Sequence, residues 1–187
     1  MRTLFVLLLS LPLFVNAQHT RPRSDGRSDP FAHTFSIVAR DEKTGDLAVG
    51  VQSHWFSVGT SVSWGEAGVG VVATQSFTNK SFGIRGLRLL KDGKTAQEAL
   101  DELLRTDEGR EVRQVAIADA KGNVAVHTGN KCIDFAGHKK GTNYTVQANM
   151  MLNNTVPNAM ATAGRVHRAC IRPLPVIGPS PWTCRRT

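Results

Sequence analysis

Three residues with metal-binding or nucleophilic side chains lie close together in the second half of the chain. They are His127, Cys132 and His138, separated by four and five residues. This spacing matches no common zinc pattern, and a tetrahedral site needs a further ligand. We therefore expect neither a metal nor an organic cofactor. Cys132 remains a possible nucleophile with one histidine as its base, although a lone cysteine in a glycine-rich loop is more often a small packing residue.

Two amide side chains alternate in the strand-like segment YTVQANMM (144–151). Side chains repeat every two residues along a strand, so Gln147 and Asn149 share one face. Buried amides are costly unless they are hydrogen-bonded, so the pair either lines a pocket or links strands. We take Asn149 as a candidate catalytic residue and Gln147 as a candidate substrate-binding residue.

Further polar residues surround the end of the strand-like segment GVGVVATQSF (68–77). The amides of Gln75 and Asn79 could donate to an oxyanion, and Arg85 could bind a carboxylate in bidentate fashion. We assign Gln75 and Arg85 to substrate binding. The alternative is that these side chains tie down a loop.

His54 and Trp55 directly follow the strand-like segment DLAVGVQS (46–53). At the end of a hairpin, such a pair could orient a substrate carbonyl and stack on an apolar group. We therefore consider His54 a candidate catalytic residue and Trp55 a candidate binding residue. A half-buried structural pair is the alternative.

The elements that carry these residues alternate between strands and helices. TFSIVAR (34–40) and 46–53 predict a hairpin, with Gly45 suited to a positive φ in its loop. Thr95 and Glu98 form a capping box at the start of a helix over 95–105. The other predicted elements are a helix over 81–91 with Ile84, Leu87 and Leu90 on its apolar face, a hairpin over 112–129, the strand 144–151 and a final helix beginning near 153. This order predicts an α+β fold with mostly antiparallel strands.

The first residues have the three parts of a secretory signal peptide. Arg2 is the positive region, residues 4–15 are apolar, and Val15-Asn16-Ala17 is a small-residue cleavage site. A membrane-spanning helix needs about 20 apolar residues, so we expect cleavage of 1–17 and a secreted or periplasmic protein without a membrane span. Residues 18–33 are polar and predict a flexible leader.

The formal charge of +8 comes mostly from one end of the chain. Residues 164–187 hold five arginines and no acid, whereas 18–163 hold 17 basic and 15 acidic side chains, a net charge of +2. A body this close to neutral has no basic stripe for phosphates, so we expect no nucleic-acid partner.

Several motifs resemble one family in the right order. They are HTFSIVARDEKTGDLAVGVQSHWFSVG, EAGVGVVATQSF, GIRGLRLL, GREVRQVAIAD, HTGNKCIDFAGH and VQANMMLNNTV, which together cover about 33–163. This segment resembles the domain of unknown function 1028 family, which is similar to the N-terminal-nucleophile hydrolases. The resemblance implies a four-layer αββα sandwich and amide-bond hydrolysis, without naming a substrate.

Many members of that family begin Met-Thr-Phe-Ser-Ile, and Thr34 is the matching position. The resemblance implies that Thr34 is the nucleophile once it becomes the first residue, because its α-amine, with a pKa of about 8, can take the hydroxyl proton. Signal cleavage would leave Gln18 first, sixteen residues upstream. Thr34 therefore needs a second cut after His33, or else it simply begins a strand.

The resemblance that we recognise in the sequence ends at Ala163, inside the last predicted helix. Residues 164–187 carry four prolines and no helix or strand period. We expect the domain 34–163 to be incomplete at its C-terminus and the basic tail to reflect a frame shift.

These observations predict an exported amide-bond hydrolase of the N-terminal-nucleophile type. Its substrate would be a small-molecule or peptide amide, with cell-wall peptides as one candidate. The alternatives are a non-catalytic envelope or cell-wall binding protein on the same fold and a thiol enzyme using Cys132.

Overall fold

The computed structural model describes residues 33–166 of the chain, and the side chains of that segment up to residue 163. The predicted signal peptide, almost all of the leader and most of the basic tail lie outside the described residues. The strands are β1 (Thr34–Arg40), β2 (Leu47–Ser53), β3 (Ser63–Glu66), β4 (Gly70–Ser76), β5 (Arg113–Asp119), β6 (Val124–Thr128), β7 (Gly137–Gly141) and β8 (Tyr144–Asn149). The α-helices are α1 (Gly59–Val62), α2 (Ser81–Lys91), α3 (Ala96–Arg105) and α4 (Val156–Val166).

The strands form two four-stranded antiparallel sheets. The first has the order β2-β1-β8-β7 and the second has the order β3-β4-β5-β6. Thus β1 and β8, which are far apart in the sequence, are neighbours in the centre of the first sheet. The predicted α+β fold with antiparallel strands is confirmed.

One core lies between the second sheet and the helices α2 and α3. Its buried apolar residues are Val72, Phe82, Leu90, Ala96, Ala99, Leu100, Leu103, Val115, Ile117 and Ala125. The capping box predicted for α3 is confirmed, since Thr95 accepts from the Glu98 backbone N–H and Glu98 accepts from that of Thr95. Leu100 and Leu103 lie on the buried face, as the helical period predicts.

The apolar face predicted for α2 is wrong in one respect. Ile84 is 55% exposed, whereas Phe82, Gly83, Gly86 and Leu90 are buried. A Cβ on Gly83 would overlap the ring of Trp64. The helix therefore lies so close to the sheet that glycines occupy the contact, and a pattern of large apolar residues cannot reveal that face.

A second core connects the two sheets. Val38 of β1 is buried in the same cluster as Val71 and Ala73 of β4 and Ala116 and Ala118 of β5. The side chains are small, and they bring the two sheets into direct contact. The helix α4 contacts β7 and β8 of the first sheet.

Among the strands and α-helices of the described residues, three short elements were not predicted, and a short 3₁₀ helix at Arg110–Val112 was not predicted either. The strand β3 has four residues, and α1 has four. The strand β7, GHKKG, is an edge strand with two lysines and a histidine, a composition that protects a sheet edge and hides the apolar signal of a strand. Within residues 33–166, no helix is long and apolar enough to cross a membrane.

Candidate active site

Thr34 lies between two polar residues at one end of the first sheet. It is paired with Ser53 of β2 on one side and with Asn149 of β8 on the other. Directly paired residues place their side chains on the same face of a sheet. The Oγ atoms of Thr34 and Ser53 are 2.8 Å apart and hydrogen-bonded. Thr34 and Asn149 are buried, being 5% and 0% exposed.

This row of side chains forms part of the wall of a cavity of about 470 Å³. The polar part of the wall includes Thr34, Ser53, His54, Ser76, Lys80 and Asn149. The apolar part includes Trp55, Val58, Val62, Phe77, Ile133 and Met150. The structure therefore brings four predicted site residues to one cavity: Thr34, His54, Trp55 and Asn149.

Another cavity, of about 500 Å³, lies beside Gly122 and Asn143 and contains none of the predicted site residues. We place the candidate site at the Thr34 cavity because, of these two cavities in the described part of the chain, it is the one that combines a candidate nucleophile with a buried amide.

Gln114 of β5 connects the two sheets directly beneath this site and was not predicted. Its Nε2 donates to the carbonyl oxygens of Gly137 and Ala148, at 3.1 and 3.0 Å. Its Oε1 accepts from Gln75 Nε2 at 2.7 Å and from Asn149 Nδ2 at 2.9 Å. Gln114 thus bonds one sheet to the other and fixes the amide of Asn149.

The amides of Gln75 and Gln147 belong to this buried network and not to the wall of the cavity. Gln147 Nε2 donates to Ser36 Oγ at 2.6 Å, and Gln75 Nε2 approaches the Gln147 carbonyl oxygen at 3.5 Å. Both side chains are fully buried. Both side chains join strands, which is the alternative stated for Gln147; for Gln75 the alternative stated was that it ties down a loop.

Three buried polar atoms near the site lack a hydrogen-bond partner among the described residues. They are Gln75 Oε1, Ser76 Oγ and Asn149 Oδ1. An unpaired buried polar group costs about 1–3 kcal/mol, and such groups are rare in folded proteins. Asn149 and Ser76 both line the cavity, so a molecule bound there can supply the missing partners.

Backbone strain is concentrated at the same place. Ser76 and Met150 have φ values of 68° and 58°, and both line the cavity. Ser76 ends β4 and Met150 follows β8, so each of the two sheets contributes one strained residue. Non-glycine residues with positive φ are uncommon and cluster at functional sites.

His54 holds the backbone that precedes Thr34. Its Nδ1 lies 3.3 Å from the His33 backbone N, which donates to it, and its own backbone N–H donates to the His33 carbonyl. Nδ1 also lies 3.5 Å from the His33 carbonyl oxygen, so either ring nitrogen can carry the proton. His54 is exposed, and its ring meets that of Trp55 edge to face at 6.5 Å.

Arg85 and Asn79 are not brought to the cavity. Arg85 donates to Thr106 Oγ1 at 3.1 Å and lies over the Phe82 ring. Asn79 Oδ1 accepts from the backbone N–H and hydroxyl of Ser81, at the start of α2. Both contacts are made at α2 and α3 or their ends, whereas Phe77, Thr78 and Lys80 of the same segment line the cavity.

The three residues considered for a metal each have another contact. Cys132 Sγ donates to the Arg113 carbonyl, and His127 Nε2 contacts the Arg110 carbonyl oxygen. Across residues 33–166, no three His, Cys, Asp or Glu side chains are grouped so that they could hold a metal ion. Burial, with a smaller effect from His127, lowers the pKa of His138.

The comparisons with known proteins define the family. The model of the family of unknown function DUF1028 matches residues 34–175, and the chain belongs to this family. The match begins at Thr34 and continues twelve residues past Ala163, the end of the resemblance in the sequence analysis.

One solved structure, protein SPO2555 from Silicibacter pomeroyi, carries the same family assignment. It matches with 32% sequence identity and a TM-score of 0.67. The alignment covers 70% of this chain and 58% of that protein, so the chain spans less than two thirds of the length of that relative. The search of curated proteins gave no match.

Proposed function

We propose that the protein is an exported amide-bond hydrolase of the N-terminal-nucleophile type, with Thr34 as its nucleophile. The observation that supports this most directly is the position of Thr34. It begins the central strand β1, is bonded through Oγ1 to Ser53, and lies in the wall of a cavity beside Asn149 and His54. A nucleophile needs this combination of orientation and access.

The reaction follows from the chemistry of a first-residue threonine. Once the His33–Thr34 bond is cut, the free α-amine takes the proton of Oγ1, and Oγ1 attacks the carbonyl carbon of the substrate amide. The C–N bond then breaks, the leaving nitrogen receives the proton, and an acyl ester remains on Thr34. Water hydrolyses this ester, releasing the acid and restoring the hydroxyl. A ring N–H of His54 can donate to the substrate carbonyl and polarise it.

The fold of such an enzyme would be the four-layer αββα sandwich that the family resemblance implies. Two observations support it here. The helices α2 and α3 cover one face of the second sheet, and α4 contacts β7 and β8 of the first. Export to the periplasm or the medium belongs to the same proposal and rests on the sequence of residues 1–17.

The test compares the unsubstituted protein with Thr34→Ala and Thr34→Ser in hydrolysis of a panel of small amides and peptides, including cell-wall peptides. We expect no activity in Thr34→Ala, partial activity in Thr34→Ser, and unchanged circular dichroism in both. Full activity in Thr34→Ala would contradict the role of Thr34 and direct the next substitution to Cys132.

A second candidate function is a non-catalytic envelope binding protein on the same fold. The two hydrogen bonds between His33 and His54 favour it, because they hold the peptide bond that would have to be cut. Sequencing the N-terminus of the purified protein separates the two. Threonine as the first residue supports the hydrolase, whereas glutamine or pyroglutamate supports the binding protein.

A further inference from the structure

We propose that the Thr34 cavity recognises neutral carboxamides through a hydrogen bond donated by the ligand N–H to Asn149 Oδ1. This deepens the proposed function by naming a substrate class. It rests on that function only for the hydrolysis that follows, since the recognition step needs no chemistry at Thr34.

The orientation of the Asn149 amide follows from backbone carbonyl oxygens, which can accept hydrogen bonds but cannot donate them. The carbonyl oxygens of Gly137 and Ala148 can only accept, so the group of Gln114 that faces them must be its NH₂. The Oε1 atom of Gln114 therefore faces Asn149, and Asn149 must donate to it through Nδ2. This leaves Oδ1 as the free atom of an amide that lines the cavity.

An acceptor in this position selects a donor. Asn149 is 0% exposed, and its Oδ1 has no partner among the described residues. A buried acceptor that stays unpaired penalises any ligand without a donor, because water cannot replace the missing bond as it does at the surface. Sites built around such a group reject analogues that lack the matching hydrogen.

The charge of the cavity wall decides between an amide and an amine. Its charged side chain is the exposed Lys80, and none of the lining residues that the structure describes is an aspartate or glutamate. A cationic amine would enter without a counter-ion, whereas a neutral amide N–H meets no such penalty. The exposed rings of Trp55 and Phe77 and the side chain of Ile133 offer contact to an apolar substituent.

The test uses a matched pair of ligands, phenylacetamide and phenylacetone. They have the same shape, but only the amide can donate a hydrogen bond. Binding is measured by titration with detection by nuclear magnetic resonance, using the protein as purified. We expect phenylacetamide to bind about tenfold more tightly, and we expect the ratio to fall to about one in Asn149→Ala.

The control variant Asn130→Ala changes the same residue type at an exposed position outside the cavity and should keep the tenfold ratio. Equal binding of the two ligands to the unsubstituted protein would overturn the inference, as would absence of saturable binding or an unchanged ratio in a folded Asn149→Ala. If that variant fails to fold, the ratio in the unsubstituted protein still decides.

Release of phenylacetate is followed in the same samples. If the protein binds phenylacetamide more tightly than phenylacetone but releases no phenylacetate, the recognition proposed here is supported and the hydrolase is not. Failure of the recognition proposal and failure of the proposed function are therefore distinguishable.

Discussion

The side-chain oxygens of Thr34 and Ser53 are 2.8 Å apart across β1 and β2. Ser53 Oγ also accepts from the backbone N–H of Trp55. The backbone N–H of Trp55 therefore fixes the hydroxyl of Ser53, and the hydroxyl of Ser53 fixes that of Thr34. The rotamer of the candidate nucleophile is set before a ligand binds.

Ser53→Ala should lower amide hydrolysis through kcat more than through KM. Loss of one orienting hydrogen bond leaves Thr34 Oγ1 free to rotate, and we expect a decrease of about tenfold to a hundredfold. Steady-state kinetics with any hydrolysed amide gives the two parameters. Ser53→Thr, which keeps the hydroxyl, should retain most of the rate; an equal loss in both variants would contradict an orienting role.

Stability should fall as His138 becomes protonated. His138 Nδ1 lies 2.9 Å from the hydroxyl oxygen of Thr128 on the neighbouring part of the chain. Although His138 is exposed by surface area, partial desolvation of its ring, with a smaller effect from His127, lowers its pKa below the ordinary value of 6.5. The folded state therefore favours the neutral ring, and this stabilisation is present above about pH 6.5 and lost as the pH falls toward the lower folded value.

Urea unfolding between about pH 7.5 and pH 5 measures this dependence. His138→Gln should flatten the curve in that interval. Identical pH dependence in His138→Gln and the unsubstituted protein would show that another group is responsible.

Asp107→Asn should destabilise the protein by about 1–3 kcal/mol. Asp107 accepts from Arg113 Nε and Nη2 at 2.8 and 3.2 Å, and Arg113 Nη1 donates to the carbonyl of Phe77 in the cavity wall. The Arg113 guanidinium lowers the pKa of Asp107 below 3.8. Its stabilisation is therefore present above pH 3.8 and is lost as the pH falls through the lower folded value.

Denaturant unfolding at neutral pH and near pH 3 checks both parts of this prediction. The exposed Asp134→Asn serves as the matched control and should cost little. An Asp107→Asn protein as stable as the control would mean that the ion pair contributes nothing measurable.

Gly83→Ala should destabilise the contact between α2 and the second sheet. The added Cβ would overlap the ring of Trp64, and overpacking of this kind costs about 1–3 kcal/mol. Gly59→Ala is the control, since a Cβ there meets nothing within 4 Å. Thermal unfolding of both variants should show a lower midpoint for Gly83→Ala only.

The intact mass of the exported protein should correspond to a chain that begins at Gln18, or at Thr34 if the second cut occurs. This expectation rests on the apolar segment 4–15 and on the cleavage site Val15-Asn16-Ala17. Mass spectrometry of the purified protein from its own host measures it. Full-length chain retained in the cytoplasm would contradict export.

Local patterns in the sequence were sufficient for most of the fold. The hairpin of β1 and β2, with Gly45 at a φ of 79°, and the capping box of α3 both depend on residues close together in the chain. The face of α2 could not be predicted, because it depends on how closely Gly83 approaches a side chain from another element.

The candidate site was predicted only in part for the same reason. His54 and Trp55 are placed by the end of their own strand. The contact of Thr34 with Asn149 requires the pairing of β1 with β8, which no local pattern specifies. Gln114 lies in the strand RQVAIAD, where the sequence alone makes it look like a solvent-facing polar residue. Its burial depends on the packing of the second sheet against the first, which no local pattern specifies.

The interface between the sheets consists largely of valine and alanine, whose similar shapes would tolerate sliding by a fraction of a residue with little change in buried area. Gln114 tolerates no such displacement, because its bonds to Gly137 and Ala148 have a fixed length and direction. The Gln114 amide therefore prevents one sheet from sliding over the other. The spacing of Thr34 from the residues of the opposite sheet is thereby set by a hydrogen bond, and the geometry of the cavity is protected from shear.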